Sequence, residues 1–151
     1  MRLKDKIKPA RPGDEKSIKD FLRACGLPYA DLTPGHLDHF LVVYQDGHLA
    51  GSVGLEPCGS LGLLRSLAVS SAQRGQAIGS GLTQEMETYA LSTGIRALYI
   101  LTTTARGFFL KRGYQVIARE TAPDALQATE EFKSICPSTA VCMRKRIENV
   151  R

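Results

Sequence analysis

The chain has 151 residues, 43% of them hydrophobic and 23% charged, which suits one compact domain over residues 1–151 and excludes a low-complexity chain or one too short to bury a core. The net charge of +5 is moderate and partly terminal, with Arg2, Lys4, Lys6 and Lys8 at one end and Arg144, Lys145, Arg146 and Arg151 at the other. No helix-turn-helix, zinc-finger or RNP pattern accompanies it, so nucleic acid is not an expected partner, and no apolar run is long enough to cross a bilayer.

Ile7 to Ala10 is expected to form a short first strand, followed by Pro12-Gly13-Asp14 as a turn and helix start. Ile18, Phe21, Leu22 and Cys25 recur at i, i+3, i+4 and i+7, which predicts a helix with one apolar face that Gly26 ends. Residues 27–38, with Pro28, Pro34 and Gly35, read as a loop with room for one helical turn. His39 to Gln45 and His48 to Glu56 are predicted strands, joined by the hairpin dipeptide Asp46-Gly47. Gly59-Ser60 reverses the chain into Leu61 to Val69, giving three consecutive antiparallel strands.

A helix from about Gln76 to Thr93 places Ile78, Leu82, Met86 and Tyr89 on one side, with Gln84, Glu85 and Glu87 largely outside, and Gly94 stops it. Arg96 to Thr102 is a buried strand, and its connection through a helix makes it parallel to its predecessor. Ala105 to Arg112 reads as a short helix ended by Gly113, and Tyr114 to Ala118 as a strand. Pro123 to Ile135 has helical character that Pro137 breaks, and Thr139 to Arg144 alternates as a last strand.

The densest signal is an apolar strand, Leu67-Ala68-Val69, that runs into Arg74-Gly75-Gln76-Ala77-Ile78-Gly79 at the head of the long helix. Free amides at a helix start, the helix dipole and small side chains together suit a phosphate. A plain tight turn has the same composition, and the stretch is neither the dinucleotide fingerprint nor the Walker pattern. With Phe108-Phe109-x-x-x-Gly113-Tyr114 further on, this order of elements resembles the GNAT superfamily of acetyl-CoA-dependent N-acetyltransferases. Leu64-Arg65-Ser66-Leu67-Ala68-Val69, Leu101-Thr102-Thr103-Thr104-Ala105 and Cys136-Pro137-Ser138-Thr139-Ala140-Val141-Cys142-Met143 resemble its amino-acid N-acetyltransferase branch. Within that branch they are similar to small proteins associated with bacterial arsenic-resistance operons.

The resemblance implies an α/β (α+β) GNAT fold: a mixed, mostly antiparallel sheet of about six or seven strands flanked by helices, with a parallel pair splayed at the cofactor site. It implies acetyl-CoA as donor, its diphosphate on the amides from Arg74 through Gly79 and its pantetheine along Leu67, Ala68 and Val69. Thr102 and Phe108 border the cofactor. An amide near Ala68 or Val69 is expected to stabilise the charge that develops on the thioester oxygen. The acceptor is a small amine, expected to carry a carboxylate. A homodimer is compatible with the family.

The acid and base depart from the common pattern. Where many relatives carry a Glu, four positions ahead of the Leu-Ala-Val triplet, this chain has Leu63, and where they carry a late Tyr it has Phe109. Glu56, paired across the hairpin from the strand of Leu63, is the candidate base, with a plain surface role as the alternative. Arg65 shares a strand face with Leu63. In that apolar strand it needs a partner, which is either the acceptor carboxylate or an internal salt bridge. His36 and His39 stand on the acceptor side as proton shuttles or as structural hydrogen-bonding residues.

Cys25, Cys58, Cys136 and Cys142 have no Cys-x-x-Cys spacing and follow no signal sequence, so no metal is expected and the thiols read as reduced in a cytoplasmic protein. An arsenic site at Cys136 and Cys142 competes with simple packing of small residues. Three functions follow: an N-acetyltransferase for an amino acid or amino-acid-like toxin, a non-catalytic acyl-CoA-binding module, and a basic nucleic-acid binder, in decreasing order of support.

Overall fold

A computed structural model describes residues 2–73, 77–135 and 139–148, so the expectations placed on Arg74, Gly75, Gln76 and Cys136 lie outside the described residues. The chain opens with a helical turn, α1 (Leu3–Lys6), that the sequence reading lacks, and then β1 (Lys8–Pro9). A 3-10 turn at Pro12–Asp14 leads into α2 (Glu15–Ala24), where Ile18 and Leu22 are fully buried. The loop contains a 3-10 segment over Pro34–His39. It delivers the chain to β2 (Phe40–Gln45), β3 (His48–Cys58) and β4 (Leu61–Val69). Asp46 and Gly47 both take positive φ, 52° and 79°, as a tight hairpin matched to the strand twist requires.

The long helix α3 (Ile78–Ser92) crosses back to β5 (Ala97–Thr102), followed by α4 (Arg106–Lys111), β6 (Gln115–Ile117), α5 (Asp124–Gln127) and β7 (Val141–Arg146). The seven strands form one sheet in the order β1-β2-β3-β4-β5-β7-β6. Every neighbouring pair is antiparallel except β4–β5, which the helical crossover makes parallel. Among the described residues no helix is long and apolar enough to cross a membrane.

Pro123 to Ile135 is not one helix. The Thr129 hydroxyl donates to the Leu126 carbonyl at 2.7 Å and accepts the Phe132 N–H at 3.4 Å, and this local bonding competes with a continuous helical ladder. The chain restarts as a π-type turn over Glu131–Ile135, which leaves Glu131 only 3% exposed.

One face of the sheet is covered by α3 and α4, with Leu64, Ile78, Leu82, Met86, Leu98 and Phe109 among the buried residues. The other face carries two separate apolar clusters. Ile18, Leu22, Leu32, Leu37 and Phe40 form one, and Leu63, Tyr99, Leu101, Leu126 and Phe132 the other. Leu63 and Arg65 share this face, so Arg65 stands where the two clusters do not meet.

Two irregularities in β4 make that gap usable. Parallel pairing with β5 is confined to Leu61↔Ala97, Gly62↔Leu98 and Leu63↔Tyr99, although β4 continues to Val69 and β5 to Thr102. The strands therefore part beyond Leu63. On its other edge β4 pairs with β3 through Gly54↔Arg65 and then Ser52↔Ala68, so β4 carries one extra residue between them. This is a β-bulge. Ser66 takes φ 59° there, and the Ser52 hydroxyl donates to the Ser66 carbonyl at 2.8 Å. The bulge reverses the alternation of β4, so Leu67 and Val69 pack on the α3 side as Leu64 does.

Candidate active site

Of the cofactor-side expectations, Leu67, Val69, Ala77, Ile78, Gly79 and Phe108 line one groove of about 680 Å³, whereas the Ala68 side chain is buried on the other face of the sheet with Ile18, Leu22 and Phe40. Gly81 N–H closes onto the Ala77 carbonyl at 3.0 Å, so the amides ahead of it at the head of α3 have no intrahelical acceptor. Ala77 holds φ 61°, a left-handed conformation that costs about 1–2 kcal/mol for a residue with a Cβ and is typical of strain held at functional sites. A Cβ at Gly79 would meet Phe108 and Val69 at an ordinary 3.5 Å, so protein packing alone does not demand glycine there. Gly81 differs: a Cβ would lie 2.7 Å from Leu3, and its small size serves the packing of α1 rather than a ligand.

Where β4 and β5 part, a second cavity of about 470 Å³ opens, lined among others by Arg23, Tyr29, Arg65, Ser66, Thr102 and Glu131. Leu67, Thr104 and Ala105 line both spaces, so the groove and the cavity meet at the bulge. Thr102 borders the cavity, and its hydroxyl oxygen accepts the Ala105 N–H at 2.9 Å, which turns the chain into α4. Phe109 and Tyr99 are buried, and Arg144 Nε donates to the Tyr99 hydroxyl at 3.1 Å.

Arg65 is 1% exposed, and its donors are already committed. Nη1 donates to Asp31 Oδ2 and Glu56 Oε1, both at 2.6 Å, Nη2 to Asp31 Oδ1 at 2.8 Å, and Nε to the Ser66 hydroxyl at 3.1 Å. Glu131 Oε2 lies 3.3 Å from Nη2. Of the two expectations for Arg65, the internal ion pair is the one displayed: five N–H groups face protein acceptors, and no open fork remains for a substrate carboxylate. The sequence reading missed Asp31 and Glu131. A buried arginine signals that acidic partners exist, but nothing in a loop and a C-terminal turn identifies which.

Burial alone would raise the Asp31 pKa, but the hydrogen bonds and charge of Arg65, with smaller help from its own backbone and His36, hold it below the ordinary carboxyl value of 3.8. The guanidinium is correspondingly locked in its charged form: desolvation works against it and is outweighed by Asp31, Glu131 and Glu56.

Glu56 pairs directly with Leu63 across the hairpin, as its placement near that strand predicts. Its carboxylate bridges Arg65 and a smaller cavity of about 270 Å³ that His36 and His39 also line. His36 Nε2 lies 3.7 Å from Glu56 Oε1, and its Nδ1 accepts the Thr33 N–H at 2.9 Å. A backbone amide only donates, so in the neutral ring the proton sits on Nε2 and points toward Glu56. His39 is bound elsewhere, with Nδ1 2.8 Å from the Tyr89 hydroxyl. Asp31, His36 and Glu56 bring possible ligand atoms within 4.8 Å of one another. Both Asp31 oxygens and Glu56 Oε1 face Arg65, and that fixed positive charge opposes a cation there.

The Acetyltransferase (GNAT) family profile matches residues 5–114, and the chain belongs to that family. It is 28% identical over 99 residues to the amino-acid acetyltransferase of Pseudomonas paraeruginosa, a match that covers 64% of this chain and 23% of that protein. To the amino-acid acetyltransferase of Ralstonia nicotianae it is 32% identical over 78 residues, covering 50% and 17%. The chain thus spans less than a quarter of the length of these curated relatives. N-acetylglutamate synthase from Neisseria gonorrhoeae, complexed with coenzyme A and N-acetyl-glutamate, shares the fold with a TM-score of 0.80 at 22% identity, over 95% of this chain and 35% of that one. The donor in this family is acetyl-CoA.

Replacing Arg65 by methionine strands its buried carboxylates, and a loss of about 3–5 kcal/mol is expected at neutral pH. The pH dependence has a definite sign. Asp31, lowered in the fold from 3.8, stabilises the wild type above that value, and this contribution is lost as pH falls through the lowered one. In Arg65→Met the same carboxylates repel, so acidification relieves the variant. Urea unfolding at pH 7 and pH 4.5 should show the gap between the two proteins narrowing at the lower pH, whereas a pH-independent gap would mean that lost packing is the whole effect.

Proposed function

We propose that the chain transfers the acetyl group of acetyl-CoA to the amine of a small acceptor bearing a carboxylate, an amino acid or an amino-acid-like toxin. The observation that carries this reading is the continuity of the two spaces at the parting of β4 and β5. A cofactor whose phosphates rest on the amides heading α3 has its thioester end directed along β4 toward the cavity that Arg65 and Glu131 line. The relatives named amino-acid acetyltransferase support the acceptor class.

Ser70 N–H bonds to the Ala50 carbonyl at 2.9 Å. By strand alternation the Ala68 amide also faces β3, while Leu67 turns its N–H to the opened edge. That amide is the candidate to pair with the pantetheine or to donate to the thioester oxygen. The amine nitrogen attacks the carbonyl carbon, the oxygen gains negative charge as the C=O bond becomes single, and collapse expels the CoA thiolate. An ammonium cannot attack, so the amine proton leaves first, to Glu56 directly or through water.

Arg23, exposed at the end of α2 and lining the larger cavity, has no side-chain hydrogen bond or ion pair among the described residues. It is the cation available to a substrate carboxylate, the role that Arg65 is too fully engaged to take. Release of CoA thiol across a panel of amino acids and analogues, an arsenic-containing amino-acid analogue included, tests the function. Saturable CoA binding with no turnover on any acceptor would favour the non-catalytic module.

Arg23→Gln should raise the acceptor KM about tenfold, the scale of one charge-assisted hydrogen bond. The acetyl-CoA KM should stay unchanged, and carboxyl-amidated acceptors should not respond. An equal loss for amidated acceptors would reject the assignment.

Glu56→Gln should lower kcat/KM by about 10²-fold near neutral pH, the usual scale of general-base assistance. The defect should shrink as pH rises toward the acceptor's amine pKa, where free amine is already present. Glu131→Gln, on the larger cavity, is the comparison: if its pH-rate profile shows this behaviour and that of Glu56→Gln does not, the base is Glu131.

A further inference from the structure

Arg112, at the C-terminal end of α4, lines the cofactor groove together with Gly79, Ser80 and Phe108. Its guanidinium carbon lies 3.9 Å from the centroid of the Phe108 ring, and Nη1 donates to the Phe108 carbonyl at 3.0 Å. The stacking and this single bond fix the group in place. Nε is sealed from solvent with no hydrogen-bond partner among the described residues, and no carboxylate among them pairs with Arg112. A buried guanidinium donor left without an acceptor is costly and rare.

The position explains the exception. The Phe108 ring reaches within 3.5 Å of where a Gly79 Cβ would stand, so the stacked pair abuts the first turn of α3. The wall of the groove opposite the amides of that turn therefore carries a positioned, uncommitted cation. Guanidinium against phosphate is a favoured pairing, and stacking on an aromatic face is how arginine is held ready for it. We infer that Arg112 is a second anchor for the cofactor, binding a phosphate oxyanion across the groove from the head of α3. The inference rests on the reading that this groove holds acetyl-CoA, and it adds a residue outside the Arg74 to Gly79 turn. The same chemistry is offered by the diphosphate and by the 3′-phosphate of the nucleotide.

Calorimetric titration of wild type, Arg112→Gln and Arg112→Lys with acetyl-CoA, its 3′-dephospho form and acetyl-pantetheine tests it. Arg112→Gln should weaken acetyl-CoA about 10–100-fold, the range for a hydrogen bond to a charged group, and leave acetyl-pantetheine unchanged. Arg112→Lys should restore part of the loss. The salt dependence of acetyl-CoA affinity should also be shallower in Arg112→Gln than in wild type, a readout that mere loosening of α4 would not move. A defect that disappears with the 3′-dephospho form assigns the 3′-phosphate, and one that persists assigns the diphosphate. Unchanged acetyl-CoA affinity, or an unchanged salt slope with loss from a shared structural defect, overturns the role of Arg112. Failure of the wild type itself to bind acetyl-CoA instead removes the reading of the groove.

Discussion

A guanidinium buried on one face of the sheet sets the terms for the larger cavity of this protein. Arg65 cannot lie in an apolar strand without acids around it, and those acids come from three distant parts of the chain: Asp31 in the loop after α2, Glu56 on β3 and Glu131 in the C-terminal turn. Glu56 reaches Arg65 across the β3–β4 hairpin, but Asp31 and Glu131 are distant in sequence, so the cluster is complete only when the loop and the C-terminal segment are in place. Buried ion clusters contribute little net stability over apolar packing, yet breaking one is severely destabilising. We read this one as a device that fixes two flanking segments to the sheet between its two apolar clusters, and so defines the walls of the cavity.

The bulge at Ser66 and the parting of β4 from β5 beyond Leu63 flank Arg65 on the same strand. Had β4 stayed paired with β5 to its end, its Leu67 amide would be spent on the sheet ladder. Had the alternation run unbroken, the Leu67 and Val69 side chains would point away from α3. One extra residue and a lost set of ladder bonds give an edge that faces both the groove and the cavity. Ser66 lines the cavity and Ala77 the groove, and both are non-glycine residues at positive φ.

The late aromatic residues argue against a phenolic proton donor at this site. Phe109 packs edge-on against Tyr114, with ring centroids 5.2 Å apart, and the Tyr114 hydroxyl is turned away to Glu87 at 2.9 Å, where burial and that carboxylate push its pKa far up. In the proposed reaction, with Leu63 buried and no phenol at position 109, the rate rests on holding amine and thioester together and on the carboxylates gathered around Arg65.

Local sequence determined most of the elements. The Asp46-Gly47 hairpin, the strand Leu61–Val69, the α3 helix with its Gly94 stop and the parallel placement of β5 follow from turn chemistry, apolar periodicity and connection rules, which act over a few residues and need no partner. The bulge was not legible, because Leu61-Gly62-Leu63-Leu64-Arg65-Ser66-Leu67-Ala68-Val69 is apolar on both faces and carries no alternation whose break would show. The split of residues 123–135 hung on where one threonine hydroxyl bonds. The need of Arg65 for a counter-charge was plain from its apolar strand, but the choice among an external carboxylate, Asp31, Glu56 and Glu131 is made by groups 9 to 66 positions away along the chain, and only their packing in three dimensions decides it.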